Sequence, residues 1–240
     1  MITIDALDNF PIVQGKCDLG TEIIKTIRLE KFILHDNDIL CIASKVVSKS
    51  EGLFIDLDLI NPSEEALLIH KKVLRKDPRL IQVMLDQTEN QKSNRLQVTN
   101  SFIGGWLPNG LFLTSAGVDK LGSNTAIVLP KNCDEIARKV SDAIFDKLKV
   151  RIAIIITDSD GRIDKKGATQ VAVGLYGISG LRKSRYMEKT NVETVCDMLA
   201  ASAGLLMVQR GKMVPVVKIS GLDYDFDRDA TIEDTVNQYN

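Results

Sequence analysis

Several residue types that mark a specialised chain are scarce in this sequence. Its 240 residues hold four cysteines, Cys17, Cys41, Cys133 and Cys196, scattered with no Cys-x-x-Cys pair. A disulfide framework and a thiolate zinc site are therefore not expected, and a reducing cytoplasm is the expected compartment. An excess of one charge is also missing: 31 Lys+Arg face 32 Asp+Glu, a net charge of −1. No global field is left to draw nucleic acid or an anionic membrane. No apolar run approaches the ~18 residues of a membrane span. The stretch Met1–Phe10 carries Asp5 and Asp8 and lacks the basic segment of a signal peptide, so none is expected. No proline- or serine-rich linker divides the chain, and no repeat is visible. What remains is an ordinary composition, 44% hydrophobic and 26% charged. A chain of this length buries about three quarters of its unfolded surface without staples, as one large domain or two small ones.

Short apolar runs alternate with amphipathic stretches. Strands are expected at Asp38–Ser44, Gly110–Ser115, Thr125–Pro130, Arg151–Thr157, Thr169–Gly174 and Val214–Ile219, each rich in Ile, Val or Leu and bounded by turn residues. Helix starts are marked by Asn61-Pro62-Ser63-Glu64-Glu65 ahead of Ala66–Leu74, and by Asp77-Pro78 ahead of Arg79–Leu85. Cys133–Leu148 repeats Ile136, Val140, Ile144 and Leu148 at a helical period. Val192–Val208 places Val192, Val195, Leu199, Ala203 and Leu206 on one core-facing stripe. Gln87–Asn109, with Trp106 as the one tryptophan, reads as a long excursion or a hairpin. After Gly221 the chain turns acidic, Asp223-Tyr-Asp225-Phe-Asp227-Arg-Asp229, and reads as a surface tail. Its spacing is not that of a calcium loop, because Arg228 takes the place of the glycine and Asp234 that of the final glutamate.

Three stretches can carry chemistry. In Ile154–Gly167 a hydrophobic strand ends in Asp158, Ser159 and Asp160 before a glycine turn. Carboxylates with a hydroxyl between them supply hard oxygen ligands for magnesium or manganese; the plainer alternative is a polar turn junction. In Ile42–Gly52 a strand leads into Ser44, Lys45, Ser48, Lys49 and Ser50, hydroxyls and ammonium groups that suit a phosphate, or else a solvated loop. The glycines of a Walker loop are missing. In Thr114–Asn124, Asp119 and Asn124 stand in a loop of small residues after a strand, which lets backbone approach a ligand closely or simply makes a tight turn.

Other patterns carry less. A strand entering Asp158-x-Asp160-Gly161 is similar to the nucleophile motif of haloacid-dehalogenase-like phosphatases. No acidic pair follows a later hydrophobic strand, as those enzymes need. Gly174-x-x-Gly177-x-x-Gly180 has the wrong spacing for a dinucleotide fingerprint. His35 and His70 have no partner pattern.

Taken in order, the segments resemble the coenzyme F-420 gamma-glutamyl ligase family over most of the chain. Phe10-Pro11-Ile12-Val13 with Gly15 and Asp18-Leu19 is similar to the family's opening segment. Ser44-Lys45-Val46-Val47-Ser48-Lys49-x-Glu51-Gly52 is nearly its Ser-Lys-φ-Val-Ser-Lys-x-Glu-Gly. Lys76-Asp77-Pro78-Arg79-Leu80, Ala116-Gly117-Val118-Asp119 and Ile156-Thr157-Asp158-Ser159-x-Gly161-Arg162 also match, with Ser123-Asn124 displaced by Lys120-Leu121. The stretch Asp197–Met207 with Val208-Gln209 resembles the family's last helix.

The resemblance implies an α+β fold of two interleaved subdomains with mixed β-sheets, assembled as an intertwined homodimer, with residues 1–222 as the ligase-like domain and 223–240 as an acidic tail. It implies a GTP- (or ATP-) and divalent-metal-dependent ligase, with Mg2+ or Mn2+, joining L-glutamate to a deazaflavin coenzyme through an acyl phosphate. Tetrahydrofolate is the alternative acceptor, and a non-catalytic nucleotide-binding protein the alternative class. Asp119, Asp158, Ser159 and Gln209 are the implied metal ligands. Pro11, Ile12, Val13, Ser44, Lys49 and Asn124 are the implied nucleotide contacts, with Lys49 and Asp158 in catalytic roles. The family's Arg-Pro-Trp-Arg is replaced by Arg162-Ile163-Asp164-Lys165, and a later segment is shortened to Arg185–Thr190. Met198 and Val208 replace the family's glutamate and glycine, and Ser159 its threonine. By the resemblance, the first three of these departures, at Arg162–Lys165, Arg185–Thr190 and Met198, fall on the acceptor side, whereas Val208 and Ser159 touch the implied metal loop, which is what leaves the non-catalytic alternative open.

Overall fold

The protein is described by a computed structural model covering residues 1–88, 96–207 and 214–237. The elements run β1 (Thr3–Ala6), α1 (Leu19–Leu29), β2 (Ile39–Ala43), α2 (Ser44–Ser50), β3 (Phe54–Asp56), α3 (Glu64–Lys72) and α4 (Pro78–Gln87). There follow β4 (Leu96–Val98), β5 (Ile103–Trp106), β6 (Phe112–Thr114), β7 (Val118–Leu121), β8 (Thr125–Val128) and α5 (Cys133–Leu148). The last are β9 (Ala153–Gly161), β10 (Ala168–Tyr176), β11 (Leu181–Tyr186), β12 (Lys189–Thr194), α6 (Val195–Met207) and β13 (Val216–Ser220). The content is mixed α and β, as expected, and the chain divides into two compact units, each spliced from separated stretches. The first takes Met1–Glu51, Pro130–Ser159 and Thr169–Thr235; the second takes Gly52–Leu129, Asp160–Ala168 and the chain from Val236.

The first unit is built on a five-stranded sheet in the order β1-β13-β2-β9-β10. β13 pairs antiparallel with both β1 and β2, whereas β2 and β9 run parallel. Every residue from Ile39 to Ile42 and from Ala153 to Thr157 is buried, the near-continuous apolar run expected of strands covered on both faces. α6 lies against β1, β2 and β13, and α1 packs on α5. α1 was not expected from the pattern, although Asp18 caps it by accepting from Thr21 N at 2.8 Å, and Ile23, Ile24 and Ile27 face inward. α5 spans the expected Cys133–Leu148 and buries Ile136, Val140 and Ile144. α6 keeps Val195, Leu199 and Ala203 on its buried stripe, but Val192 is 55% exposed on β12. Pairing of β12 with β11 in an antiparallel hairpin takes precedence over the helical period there.

The three glycines that mimic a dinucleotide fingerprint are packing residues. A Cβ on Gly174 would stand 2.3 Å from Cys133 Cβ and 2.8 Å from Cys133 C, where β10 meets the start of α5. Gly177 sits at φ +83 against the Phe226 ring and the Ala153 backbone, and a Cβ on Gly180 would meet Thr235 at 2.3 Å. The acidic stretch after Gly221 lies along this unit: Phe226 meets Tyr176 edge-on at 5.7 Å, and Asp227 bridges Gly177. Arg151 stands over both Phe145 and Phe226, at 5.1 and 5.4 Å from the ring centroids. Asp134 ties the stretch to the sheet by accepting from Leu175 N at 2.7 Å and Ile232 N at 3.0 Å. Burial raises its carboxyl pKa against those two bonds.

The second unit holds two three-stranded sheets, β3-β8-β7 and β4-β5-β6, with α3 and α4. Ser63 caps α3, and Asp77 with Pro78 opens α4, as the start signals predict. Residues 89–95 of the Gln87–Asn109 excursion lie outside the described residues. The remainder makes the β4–β5 hairpin, continued into β6, with Trp106 tilted on Phe112 at 4.9 Å.

Gly174→Ala is expected to lower unfolding free energy by about 1–3 kcal/mol, the usual cost of overpacking, in a urea titration monitored by circular dichroism. A variant as stable as the parent contradicts the close approach of β10 to Cys133.

Candidate functional site

In the first unit the site residues follow from the register of two strands. Ala43 of β2 pairs with Thr157 of β9, so the next residues, Ser44 and Asp158, come side by side. Ser44 Oγ donates to Asp158 Oδ1 at 2.5 Å, the short distance of a hydroxyl held by a carboxylate. Ser44 is buried, Asp158 half-buried and Ser159 exposed. The expected loop after β2 is instead α2, so Lys45 and Lys49 share one helical face four residues apart. Lys45 is exposed and Lys49 half-buried. The helix forms because Val46, Val47, Ser48 and Ser50 are buried and Ser50 Oγ folds back onto Val47 O at 2.8 Å. Serines that read as a solvated loop are interior here. Of the opening segment, Val13 is buried and Pro11 and Ile12 are exposed. Just beyond it, Cys17 N donates to Ser50 O at 3.0 Å and ties this stretch to the end of α2.

The glycine turn expected after Asp160 is also corrected, since β9 continues through Gly161. In the second unit Asp160 Oδ1 accepts from Thr114 N at 2.7 Å. Thr114 Oγ1 accepts from Gly161 N and donates to Gly161 O, both at 3.0 Å. These bonds hold the strand extended where Asp and Gly signal a turn.

Asp119, expected in a loop, is an exposed residue of β7 opposite Ile127. The strand starts straight after Ser115, Ala116 and Gly117, three successive residues at φ 56, 51 and 69. Non-glycine residues pay about 1–2 kcal/mol each for that left-handed backbone, and such strain is typical of functional segments. Lys76 Nζ donates to Ser115 Oγ at 3.1 Å. Burial pushes the Lys76 amine below the ordinary lysine range, Arg75 adds to the shift, and the charge of Asp119 opposes it.

Asn124 ends a three-residue turn between β7 and β8 and belongs to a polar network. Its Nδ2 donates to Asp58 Oδ2 at 2.8 Å, and Arg79 Nη1 donates to Asp58 Oδ1 at 2.7 Å. Arg79 also grips Asp77 through Nη2 at 2.8 Å and Nε at 3.1 Å. Hydrogen bonds from Arg79 hold the Asp77 carboxyl below the usual carboxylate range, against the opposing effect of burial. Asp58, Lys76 and Arg79 are polar residues to which sequence reasoning assigned no site role. Asp77-Pro78-Arg79 was visible as a helix start and a motif, but nothing local connects it to Asp58 or Asn124.

Ser44, Lys49, Asp158, Ser159 and Pro11–Val13 thus belong to the first unit, Asp119 and Asn124 to the second, and Gln209 lies outside the described residues. Among the described residues no group of three or more His, Cys, Asp or Glu side chains is placed to hold a metal, and no helix is long and apolar enough to cross a membrane.

In this α+β chain the ends of two parallel neighbouring strands thus bring a hydroxyl and a carboxylate together, followed by a lysine-bearing helix. Residues 9–221 match the model of the F420-0:Gamma-glutamyl ligase family, and the chain belongs to that family. It is 35% identical over 225 residues to a coenzyme F420:L-glutamate ligase of Methanocaldococcus jannaschii, covering 90% of this chain and 86% of that protein. It is 34% identical over 245 residues to the protein of the same name from Methanosarcina mazei, covering 98% and 92%. The Methanothermobacter thermautotrophicus protein is 34% identical over 230 residues, covering 92% and 89%.

The Asp77 shift has a pH consequence. A carboxyl whose pKa is lowered on folding stabilises the fold above the unfolded carboxylate range and loses that contribution as pH falls through its folded value. Asp77→Asn is therefore expected to melt below the parent at about pH 7, with the gap closing towards about pH 3. A gap of constant size in calorimetry at both pH values contradicts the Arg79–Asp77 bond as its source.

Proposed function

We propose that the protein is a nucleotide- and divalent-metal-dependent ligase that joins L-glutamate to a carboxylate of a deazaflavin coenzyme. The observation that carries this is the family match over residues 9–221, together with relatives named coenzyme F420:L-glutamate ligase that align over most of both chains. The Ser44–Asp158 pair and the neighbouring helix with Lys49 support it chemically. A half-buried carboxylate, hydroxyls and a lysine are hard oxygen and cationic groups suited to magnesium and phosphate. Magnesium commonly takes one or two protein carboxylates and completes its shell with water and phosphate oxygens.

In this proposal an oxygen of the acceptor carboxylate attacks the γ-phosphorus of GTP or ATP. The bond to the bridging oxygen breaks, and the nucleoside diphosphate leaves. The glutamate amine then attacks the acyl carbon of the acyl phosphate, expels phosphate and loses a proton, leaving an amide. Lys49 neutralises charge on the transferred phosphoryl group, and Ser44 orients the Asp158 carboxylate through its hydroxyl. Asp119, Asp158, Ser159 and Gln209 are the proposed ligands of Mg2+ or Mn2+, which would supply further charge neutralisation. Pro11, Ile12, Val13, Ser44, Lys49 and Asn124 are the proposed nucleotide contacts. The same proposal includes a homodimer. Tyr186, Met187 and Val192, 70%, 79% and 55% exposed on the β11–β12 hairpin, are apolar side chains that association would cover.

With magnesium and either GTP or ATP, release of GDP or ADP is expected only when glutamate and an acceptor are both present, the deazaflavin precursor and tetrahydrofolate being offered in parallel. Release that ignores glutamate and acceptor, or phosphate release from simple monoesters, overturns the ligase reading. Asp158→Asn is expected to lower turnover by about 100-fold or more, the scale of a lost electrostatic contact in phosphoryl transfer; undiminished turnover removes Asp158 from the site.

A further inference from the structure

Lys76 of the second unit is a half-buried amine that the ligase chemistry leaves unused. Its backbone is held at both polar atoms. Lys76 N donates to Val73 O at 3.0 Å, and Lys76 O accepts from His70 Nδ1 at 2.8 Å. The side chain meets a hydroxyl, with Nζ 3.1 Å from Ser115 Oγ. A carboxylate in that place would hold the amine protonated, whereas a hydroxyl accepts its hydrogen bond and leaves the amine free to lose a proton. Burial and the neighbouring Arg75 favour that loss, and the charge of Asp119 opposes it.

Ser115 is held in its own unusual pose. β6 runs straight into it, and its φ of 56 is followed by 51 at Ala116 and 69 at Gly117. The corner is locked on both sides. Ahead of it, Thr114 N donates to Asp160 Oδ1 at 2.7 Å. Behind it, Leu129 N donates to Gly117 O at 3.0 Å, and a Cβ on Gly117 would stand 2.9 Å from Leu129 Cβ. Gly105 leaves room for Ala116, since a Cβ there would stand 2.9 Å from Ala116 Cβ. Glycine adopts left-handed backbone without the penalty a serine pays, so backbone geometry alone does not account for a serine at position 115. A nucleophilic serine on a strained corner after a strand, within hydrogen-bond reach of its base, recurs in acyl-transfer enzymes. Lysine is the base in some of them.

We propose that Ser115 and Lys76 form a nucleophile–base pair that takes an acyl group from a small activated ester or acyl phosphate, an activity separate from the nucleotide-dependent reaction. Ser115 Oγ attacks the acyl carbon while its proton passes to the neutral Lys76 amine. The bond to the leaving oxygen breaks, and Lys76 returns the proton to the departing phenol or phosphate. The serine is left as an ester. Water then attacks the ester carbon, giving a proton to the same amine; the acid departs, and the proton returns to Ser115 Oγ. Ser115 is 8% exposed and Ala116 fully buried, so the pair admits a small acyl group such as acetyl and excludes a bulky one.

The test uses the full-length protein without nucleotide, metal or glutamate, so its outcome is independent of the ligase assay. With p-nitrophenyl acetate, p-nitrophenol is released and the first acetyl group to form, trapped by acid quench, is expected on Ser115 in peptide mass spectrometry. Methanesulfonyl fluoride, equally small and forming an adduct that does not turn over, is expected on the same oxygen. Ser115→Ala and Lys76→Arg, with folds checked by circular dichroism, are each expected to slow p-nitrophenol release about 100-fold or more, the scale of general-base assistance. Arginine keeps the charge but cannot take up the proton. Mapping on the parent protein decides the nucleophile whatever the variants do. A first acetyl group on Lys76 or elsewhere overturns Ser115 as the nucleophile, and no adduct overturns the pair. Parental rates in Lys76→Arg overturn the lysine as its base.

Discussion

Leu40, Cys41 and Ile42 lie beside Ile154, Ile155 and Ile156 in parallel register at the middle of the first unit's sheet, none of them open to solvent. Burying each of the leucine and isoleucine side chains among them is worth about 1.5–3 kcal/mol, so the pairing is anchored by packing and not by its polar ends. A slip of one residue would exchange the two faces of the strand and carry Asp158 away from Ser44. The hydrogen bond at the mouth of the sheet is therefore a consequence of the apolar register beneath it. Cys133 and Gly174, α6 on its flank, and the return of β13 between β1 and β2 all presuppose that same central pair.

Much of this architecture was legible wherever one element buries one face. α5 could be read to the residue because its apolar positions repeat at a helical period; β2 and β9 could be located, though with different ends, because unbroken Ile-rich runs have few alternatives. α1 was not anticipated, although it carried an equally clear cap and stripe in Asp18, Ile23, Ile24 and Ile27. The β11–β12 hairpin was not legible in the same way: most of its residues, including Arg182, Lys183, Arg185 and Lys189, are polar, and its strands are defined by each other. α2 was obscured because Ser48 and Ser50 look like solvent-facing residues and are interior. The candidate site residues divide along similar lines. Asp158, Lys49 and Asp119 could be picked out from short motifs, whereas the partners of Asn124 lie 66 residues away at Asp58 and beyond it at Arg79. No local pattern encodes an association of that separation.

The second unit also concentrates backbone strain and polar order on the approach to Asp119. Three successive left-handed residues, a lysine on the Ser115 hydroxyl and the Asp58–Arg79 network all border the β7–β8 hairpin. β7 packs against α4, so the helix that begins with Asp77-Pro78-Arg79 helps to support that hairpin. Rigidity here has a physical source: each polar side chain is held by a neighbour that is itself held.

The placement of β13 has a consequence for biosynthesis. β1 and β2 belong to the first 51 residues, yet they do not pair with each other; the strand between them is Val216–Ser220. On a ribosome adding about 5–20 residues per second, roughly ten to thirty seconds separate the emergence of β2 from that of its antiparallel neighbour. During that interval one apolar edge of β2 has no strand to cover it, which is the condition that invites pairing with another nascent chain or capture by a chaperone. The topology makes the N-terminal third of the protein dependent on its last strand, and truncation near the C-terminus should be felt first at the opposite end of the chain.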